Sequence, residues 1–234
     1  MRTISTAVTA ALTCLVVGAT VAGCTNGTTA EEPSAKQMLD DANDTMNDLK
    51  SVTIDMVNSV PDRGSFSSRV TTDLKANCVS KTTWAKGTSL EQIRIGETDY
   101  VRPNRAYIER WSGKAMSGTG DQKRWIKTPT SNAQPGDGLS DCTRPFASFG
   151  KARKGAPTKV DGTPAIPLMV TDKADKDGGT YTFYVATKGK PYILKVVFKG
   201  PEYVSTTTFS AFDKPMDVRP PAKTDVLDAS AIGR

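Results

Sequence analysis

Apolar residues recur at intervals of three and four positions after Ser34, and this spacing predicts an amphipathic helix that ends near Lys50. Its apolar stripe comprises Ala35, Met38, Leu39, Ala42, Met46 and Leu49. Ser34 directly precedes the stripe, and serine caps helix N-termini well by accepting a hydrogen bond from the first turn. Because the helix has one apolar stripe, we expect it to pack against another element.

After Ser51 the apolar positions alternate with polar ones, which predicts β-strands. The first strand contains Val52, Ile54 and Met56 and stops at a turn signal over residues 61–64. Further apolar positions follow in Phe66, Val70 and Leu74, in the segment 78–84, in Ile93 and Ile95, and in Tyr100-Val101. Turn-forming residues separate these segments, so we expect an antiparallel meander linked by hairpins.

The alternation breaks down between Ala106 and Phe149, apart from a short predicted strand at residues 125–127. Leu139, Cys142, Phe146 and Phe149 have helical spacing, and we expect helical or irregular segments that cover the sheet. A second meander is predicted at residues 165–171, 180–187, 192–199 and 203–209. A helix, a meander, a cover and a second meander predict an α+β fold, a strongly curved antiparallel sheet folded over helices.

The N-terminus has the pattern of a bacterial lipoprotein signal. Arg2 precedes an uncharged run over residues 5–20, and Val21-Ala22-Gly23-Cys24 ends it. A cysteine directly after small residues can accept a diacylglycerol before cleavage, so we expect the mature chain to start at lipidated Cys24. The alternative is an ordinary signal or a membrane helix, although the run is shorter than the ~20 apolar residues that a span needs.

Composition excludes several chemistries. The chain contains no histidine, which rules out Ser-His-Asp and Cys-His catalysis and zinc sites that need imidazole. Cys78 and Cys142 are the pair left after Cys14 and Cys24, and in an oxidising compartment we expect them to form a disulfide. Two free buried thiols are the alternative.

Charged residues point to no catalytic constellation and to no cofactor. The pairs Asp40-Asp41 and Asp175 with Asp177 are explained by a helix surface and a turn. The formal charge of +6 is scattered, with its densest cluster at residues 151–154. Nucleic acid is therefore a poor partner, whereas basic residues could face anionic lipid headgroups or form an ordinary solvated surface.

Four motifs carry a resemblance to a known family. They are Trp125-Ile126-Lys127-Thr128-Pro129, Val160-Asp161-Gly162-Thr163-Pro164-Ala165, the segment 181–192 and Phe209-Ser210-Ala211-Phe212-Asp213-Lys214-Pro215. In this order, after a lipobox, a helix and a meander, they resemble the LolA-like half-barrel envelope lipoproteins of high-GC Gram-positive bacteria, the LppX and LprG group. The resemblance covers residues 35–228 and marks strands and turns.

The resemblance implies an incomplete antiparallel barrel whose concave apolar face is covered by helices, with a cavity for acyl chains between them. Members of the group carry lipids or acylated molecules across the envelope, and relatives with the same fold sense envelope state. We accordingly divide the chain into a signal peptide (1–23), a lipidated flexible tether (24–34), a half-barrel lipid-binding-like domain (35–214) and a C-terminal tail (215–234).

Strand parity selects the residues expected on the inner face. They are Val52, Ile54, Met56, Phe66, Val70, Trp84, Ile93, Ile95, Phe183, Val185, Leu194, Val196 and Phe198. These residues either line a ligand cavity or pack as a dry core against the covering elements.

The expected function is that of a non-enzymatic lipoprotein, lipid-anchored to the outer face of the cell membrane, that binds a lipid or acylated ligand for carriage or transfer. The alternative is an envelope sensor or scaffold that binds a protein partner through an exposed aromatic patch. Such a patch would draw on Tyr107, Trp111 and Trp125.

Overall fold

The computed structural model describes residues 32–61, 64–117, 123–147, 149–171 and 178–228. The predicted signal peptide, Cys24 and residues 24–31 of the tether lie outside the described residues, as do Asp175 and Asp177.

One twisted sheet of thirteen strands dominates the fold, in the order β13-β6-β5-β4-β3-β2-β1-β12-β11-β10-β9-β7, with β8 paired to β9. The strands of the first half are β1 (Val52–Val60), β2 (Gly64–Thr72), β3 (Asn77–Trp84), β4 (Ser89–Ile95), β5 (Thr98–Pro103) and β6 (Trp125–Pro129). The second half comprises β7 (Lys151–Lys154), β8 (Thr158–Val160), β9 (Thr163–Thr171), β10 (Thr180–Ala186), β11 (Ile193–Lys199), β12 (Val204–Ser210) and β13 (Val226–Asp228).

The two predicted meanders join because β1 pairs with β2 on one side and with β12 on the other. All pairings are antiparallel except the one between β13 and β6. The sheet keeps two separate edges, at β13 and β7, so the protein is an α+β incomplete barrel, as the sequence predicted. We call the side on which the first helix packs the covered face, and the opposite side the open face.

Helix α1 (Ala35–Asn47) begins where the sequence predicted and ends three residues before Lys50. The Ser34 hydroxyl accepts a hydrogen bond from the amide of Gln37, whose side chain accepts one from the amide of Ser34. The apolar stripe is buried at Leu39 and Met46, and it packs against β7, β10 and β11. This end of the covered face is an apolar core. Its sheet residues, some of which also line the cavities described below, are Val52, Ile54, Ile166, Leu168, Val170, Phe183, Val185, Ile193 and Phe209.

A second helix, α2 (Arg105–Ser112), follows β5. The Asn104 side chain caps it by accepting a hydrogen bond from the amide of Tyr107, and Gly113 ends it in the left-handed region at φ +67°. Tyr107 turns toward the sheet and lies 5.8 Å, centroid to centroid, from Trp84 of β3. Helix α2 therefore covers the outer end of the β3–β4 region.

Residues 133–147, which we call the covering segment, contain no helix, so the helical alternative suggested by Leu139, Cys142 and Phe146 is wrong. Pro145 lies inside the stretch with helical spacing and cannot continue a helix, because it lacks the backbone N–H and its ring clashes with the preceding turn. The segment bonds to other elements, and at its end Asn47 of α1 exchanges two hydrogen bonds with the backbone of Phe146.

Three short strands, β7, β8 and β13, were not predicted. The cluster at residues 151–154 forms β7, an edge strand that turns Ala152 toward the core and Lys151 and Arg153 toward solvent. Charged side chains on an edge discourage pairing with other chains. Residues 226–228, assigned from the sequence to the tail, form β13 beside β6. Across the described residues, neither helix has the length and apolar character needed to cross a bilayer.

Candidate functional site

Two cavities lie on the covered face. The larger has a volume of about 720 Å³, is partly open to solvent and is bounded by β1, β2, β3 and the covering segment. Its apolar lining from the strands consists of Ile54, Met56, Phe66, Val70 and Trp84. Ser68 and Thr82 add hydroxyls to the same wall.

The smaller cavity has a volume of about 320 Å³ and lies toward the second half of the sheet. Its lining is rich in aromatic and aliphatic side chains, namely Phe146, Phe149, Tyr181, Phe183, Ile193, Val196, Phe198, Tyr203 and Phe209. Met56 and Arg144 line both cavities, so the two spaces adjoin at these side chains.

Trp84 forms the outer wall of the larger cavity, and the covering segment approaches it closely. A Cβ atom on Gly138 would lie 2.3 Å from Cη2 of Trp84, and the residue has φ +82°. The Tyr107 hydroxyl donates a hydrogen bond of 2.6 Å to the carbonyl of Asp137. Burial, together with the nearby charge of Asp137, raises the pKa of Tyr107 to about 12. The phenol therefore keeps its proton and holds this part of the covering segment.

A buried amide holds the middle of the covering segment. Gln92 of β4 is 1% exposed, and its amide group donates to the Asp99 carboxylate at 2.9 Å and to the Ser140 carbonyl at 3.2 Å. Its oxygen accepts from the Ser140 amide at 2.7 Å and from the Ser80 hydroxyl at 3.0 Å. All hydrogen-bonding groups of Gln92 are thus used inside the protein.

Arg94 and Asp99 form a buried ion pair beside this amide. The guanidinium donates two hydrogen bonds to the fully buried carboxylate, at 2.8 and 2.9 Å. The hydrogen bond to Asp99 raises the pKa of Arg94. Arg94 also reaches Asp141 of the covering segment at 3.2 Å. Because both charges are engaged, this cluster supports the covering segment and offers no free acid or base.

The predicted disulfide between Cys78 and Cys142 is present and joins β3 to the covering segment across 64 positions of sequence. Beside it, the Thr72 hydroxyl donates to the carbonyl of Cys142 at 2.5 Å. Closing a loop of this size stabilises a fold by about 4 kcal/mol in the chain-entropy account. The covering segment, which forms the roof of the larger cavity, is therefore covalently attached to β3, which belongs to the sheet beneath it.

Aromatic rings surround the smaller cavity. Tyr181 lies 4.6 Å from Phe198 and 5.0 Å from Phe149, and Phe198 lies 4.9 Å from Tyr203, each measured between ring centroids. Phe149 and Tyr203 are 41% and 39% exposed, so the apolar cluster continues to the surface. Gly179 leaves room for Phe198, because a Cβ there would meet its ring at 2.0 Å.

The structure brings most of the predicted inner-face residues together. Ile54, Met56, Phe66, Val70, Trp84, Phe183, Val196 and Phe198 line the cavities. Val52 and Val185 are fully buried in the apolar core beneath α1. Core and cavity-lining residues therefore occur side by side on the same strands, and a ligand in the cavities stays a prediction.

Ile93 and Ile95 lie on the wrong face for the predicted cavity. In β4 the covered face carries Leu90, Gln92 and Arg94, so the isoleucines, which have the opposite parity, are on the open face. Ile93 lines a groove there together with Trp125. The sequence prediction failed because two of the three covered residues of this strand, Gln92 and Arg94, are polar. Both form hydrogen bonds with the covering segment.

Leu194 is also misplaced by strand parity. A register irregularity between β10 and β11 sets Tyr184 opposite Lys195 but Val185 opposite Ile193, so Leu194 is the extra residue of a bulge. Ile193 is 1% exposed and lines the smaller cavity in its place.

The proposed aromatic patch does not form. Tyr107 packs against Trp84, and Trp111 is 55% exposed beside it. Trp125 lies on the open face, where the guanidinium of Arg102 stacks 4.4 Å from its ring centroid.

Sequence reasoning missed Arg144. Its side chain is solvent-exposed and lines both cavities, with the guanidinium carbon 6.0 Å from the centroid of the Phe209 ring. Desolvation by the neighbouring protein atoms lowers the pKa of Arg144. A single arginine in an irregular segment carries no sequence signal of such a position.

Comparison with solved structures finds the same fold in two mycobacterial proteins. LprF from Mycobacterium bovis aligns with a TM-score of 0.55 at 15% identity, over 80% of this chain and 97% of that chain. The Mycobacterium tuberculosis lipoprotein LppX aligns with a TM-score of 0.53 at 14% identity, over 79% and 98%. A LolA superfamily protein from Nitrosomonas europaea aligns over 82% of this chain and 97% of that chain, with a TM-score of 0.28 at 12% identity.

No family model and no curated protein sequence matches the chain. At these identities the structural likeness concerns the fold. It confirms the resemblance to the LppX group at that level, together with the α+β incomplete barrel.

Proposed function

We propose that this protein is a membrane-anchored envelope lipoprotein that binds a lipid or acylated ligand in the two covered-face cavities and carries or transfers it without catalysis. The observation that carries the proposal is the pair of adjoining cavities, of about 720 and 320 Å³, under a covering segment tied to the sheet. Both volumes are in the range of small-molecule sites.

The chemistry of the lining favours acyl chains. Ile54, Phe66, Val70 and Trp84 in one cavity, and the aromatic ring cluster in the other, present apolar surface from the sheet. The covering segment adds polar groups such as Ser140 and Thr143 to the larger cavity. Burial of apolar surface contributes ~25 cal/mol per Å², so a long chain gains affinity without specific polar contacts. Met56, at the junction, is a flexible side chain that adapts to a mobile ligand.

Non-enzymatic action is supported by the state of the charged groups near the cavities. Arg94 and Asp99 neutralise each other. Asp141 contacts Arg94, and the Tyr107 phenol is held in its protonated form. This arrangement leaves no acid–base pair directed at a ligand among the groups just described.

The membrane anchor at Cys24 belongs to the proposal and rests on the lipobox pattern. A lipidated cysteine with two or more acyl chains gives lasting attachment, so cargo would be handed to a partner within reach of the tether. Replacing Cys24 by Ala should release the chain into the medium or leave it uncleaved. A chain that stays membrane-bound and fully processed would contradict the anchor.

A second candidate function is binding of an envelope protein partner. It is favoured by the open-face groove of about 340 Å³, which combines Val79, Ile93 and Trp125 with charged neighbours. Binding of a fluorescent fatty acid separates the two functions. Trp84→Asp, in the larger cavity, should abolish fatty-acid binding. The matched control Val79→Asp, at a residue 40% exposed on the open face, should leave it unchanged. Equal binding by two folded variants would contradict the proposal.

A further inference from the structure

Arg144 occupies the place where the two cavities adjoin. Its side chain lines both of them, and the other lining residue that they share is Met56. The guanidinium faces the ring of Phe209 at 6.0 Å, the backbone of Phe146 is held by α1, and Cys142 is held by the disulfide. The backbone that carries Arg144 is therefore fixed on both sides.

Within the described part of the chain, the guanidinium of Arg144 has no hydrogen bond and no ion pair, and its interaction with Phe209 is a ring contact only. The nearest acidic residue along the segment, Asp141, is in contact with Arg94. The other charged lining groups of the larger cavity are Arg94 itself, which is bound to Asp99, and Asp137, whose carboxylate accepts from the amides of Gln134 and Leu139. Among the described residues, Arg144 is thus the cationic group of the two linings that has no ion-pair partner, while the negative charge of Asp137 is held by backbone amides and not by a cation.

A cation in this setting favours an anionic partner. A carboxylate or phosphate would form charge-assisted, bidentate hydrogen bonds with the guanidinium of Arg144. Desolvation by neighbouring protein atoms lowers the pKa of Arg144. Apolar space extends from the guanidinium in two directions, which suits a molecule whose charged group is attached to a hydrocarbon chain.

A second polar group in the smaller cavity is also without a partner. The Oδ1 atom of Asn58, two residues after Met56 on the same face of β1, is buried and accepts no hydrogen bond from any residue that the structure describes. Buried acceptors are almost always satisfied, so this atom indicates a donor supplied from outside the protein. A hydroxyl next to the charged group of the ligand would serve.

We infer that Arg144 binds the anionic group of an amphiphile whose hydrocarbon chain occupies the adjoining cavities, and that Asn58 accepts a hydrogen bond from a hydroxyl beside that group. The inference rests on the proposed function and narrows it, because it makes the cargo an anionic lipid or fatty acid and not a neutral one.

The first probes that test it are laurate, dodecyl phosphate, dodecanol and inorganic phosphate. The first three have hydrocarbon chains of nearly equal length and differ in headgroup and charge. Each is measured by equilibrium dialysis on the full chain carrying Cys24→Ala, after delipidation, with folding checked by circular dichroism. The parent should bind laurate and dodecyl phosphate at least about tenfold more tightly than dodecanol, as expected for a charged hydrogen bond. Arg144→Gln should remove this preference and change dodecanol binding by less than about twofold.

Matched variants decide the role of the charge. Arg110→Gln makes the same chemical change at an exposed position of α2 and should retain the preference. Arg144→Lys keeps the charge but loses the bidentate geometry, so it should retain a part of the preference. A preference that survives Arg144→Gln, or a parent that binds dodecanol as tightly as laurate, overturns the inference while leaving lipid binding intact. Failure of all three amphiphiles to bind contradicts the proposed function itself.

Comparison of the probes with one another identifies the chemical class of the anion and tests the role of Asn58. Stronger binding of laurate than of dodecyl phosphate indicates a carboxylate, and the reverse order indicates a phosphate headgroup. Displacement of dodecyl phosphate by a small excess of inorganic phosphate would mean that the site binds a free anion. It would overturn the inference that the ligand is an amphiphile. A lauroyl glycerol phosphate, which adds a hydroxyl, should bind more tightly than dodecyl phosphate, and Asn58→Leu should abolish that gain. A gain that persists in Asn58→Leu overturns the role of Asn58.

Discussion

Gly138 of the covering segment lies against the indole of Trp84, so closely that a Cβ atom on residue 138 would be 2.3 Å from Cη2. This contact joins the roof of the larger cavity to its outer wall. Gly138 also has φ +82°, a conformation that L-residues with a side chain rarely adopt.

Gly138→Ala should therefore destabilise the fold by about 1–3 kcal/mol, from backbone strain and from the clash with Trp84. Urea unfolding measures the loss. Gly162→Ala is the matched control, because Gly162 has φ +81° with no atom within 4 Å of its Cβ position. Equal losses in the two variants would show that the contact with Trp84 adds nothing.

The disulfide gives the second prediction. Replacing both Cys78 and Cys142 by Ser should lower the free energy of unfolding by about 2–4 kcal/mol, because the unfolded chain regains a long loop. Relative to the parent, hydrogen exchange in the variant should accelerate more in residues 138–143 than in β9, because the covering segment loses its covalent attachment. Unchanged protection of the covering segment would mean that Gln92 and Thr72 hold it without the disulfide.

Met56 offers a way to fill the junction. Met56→Trp should reduce fatty-acid binding about tenfold or more, because the larger ring occupies space where the two cavities adjoin, at a stability cost of about 1–3 kcal/mol. Val57→Trp is the matched control, at the adjacent residue of β1, which is 47% exposed and faces the other way. Binding that is unaffected by Met56→Trp in a folded protein would place the ligand elsewhere.

Tyr107 predicts an alkaline loss of stability. Its pKa is raised to about 12 in the fold, by burial first and by Asp137 second, from an ordinary value of about 10. A raised pKa means that the folded state holds the proton more tightly, so the stabilisation is full below pH ~10 and is lost as the pH rises toward ~12. Because the phenol is only half-buried, we expect about 1 kcal/mol. The difference in unfolding free energy between the parent and Tyr107→Phe should shrink over that interval, and a constant difference would contradict the assignment.

Sequence pattern predicts the sheet well where the covered residues are apolar. Val52, Ile54 and Met56 alternate cleanly, and β1 is found with the expected face inward. The same rule fails in β4, because Gln92 and Arg94 face inward to bind the covering segment and Asp99. Gln92 and Arg94 are polar because each binds partners elsewhere in the fold. The periodicity of a single strand carries no information about those partners.

Two other misassignments have local causes. A bulge at Leu194 shifts the parity of β11, and no residue type there marks it. In the covering segment, Leu139 and Cys142 have helical spacing, but Pro145 lies within the same stretch and cannot continue a helix. Arg144 could not be selected either, since its place between two cavities depends on how the covering segment crosses the sheet.

The central claim is that the covered-face cavities hold a lipid or acylated molecule. The most direct measurement is mass spectrometry of small molecules extracted from the full chain carrying Cys24→Ala, purified from its native host without the covalent anchor. The account predicts an acylated compound at about one per protein, and its absence from a folded Trp84→Asp variant. A folded parent protein that carries no such compound would contradict lipid carriage and would favour a role in binding a protein partner.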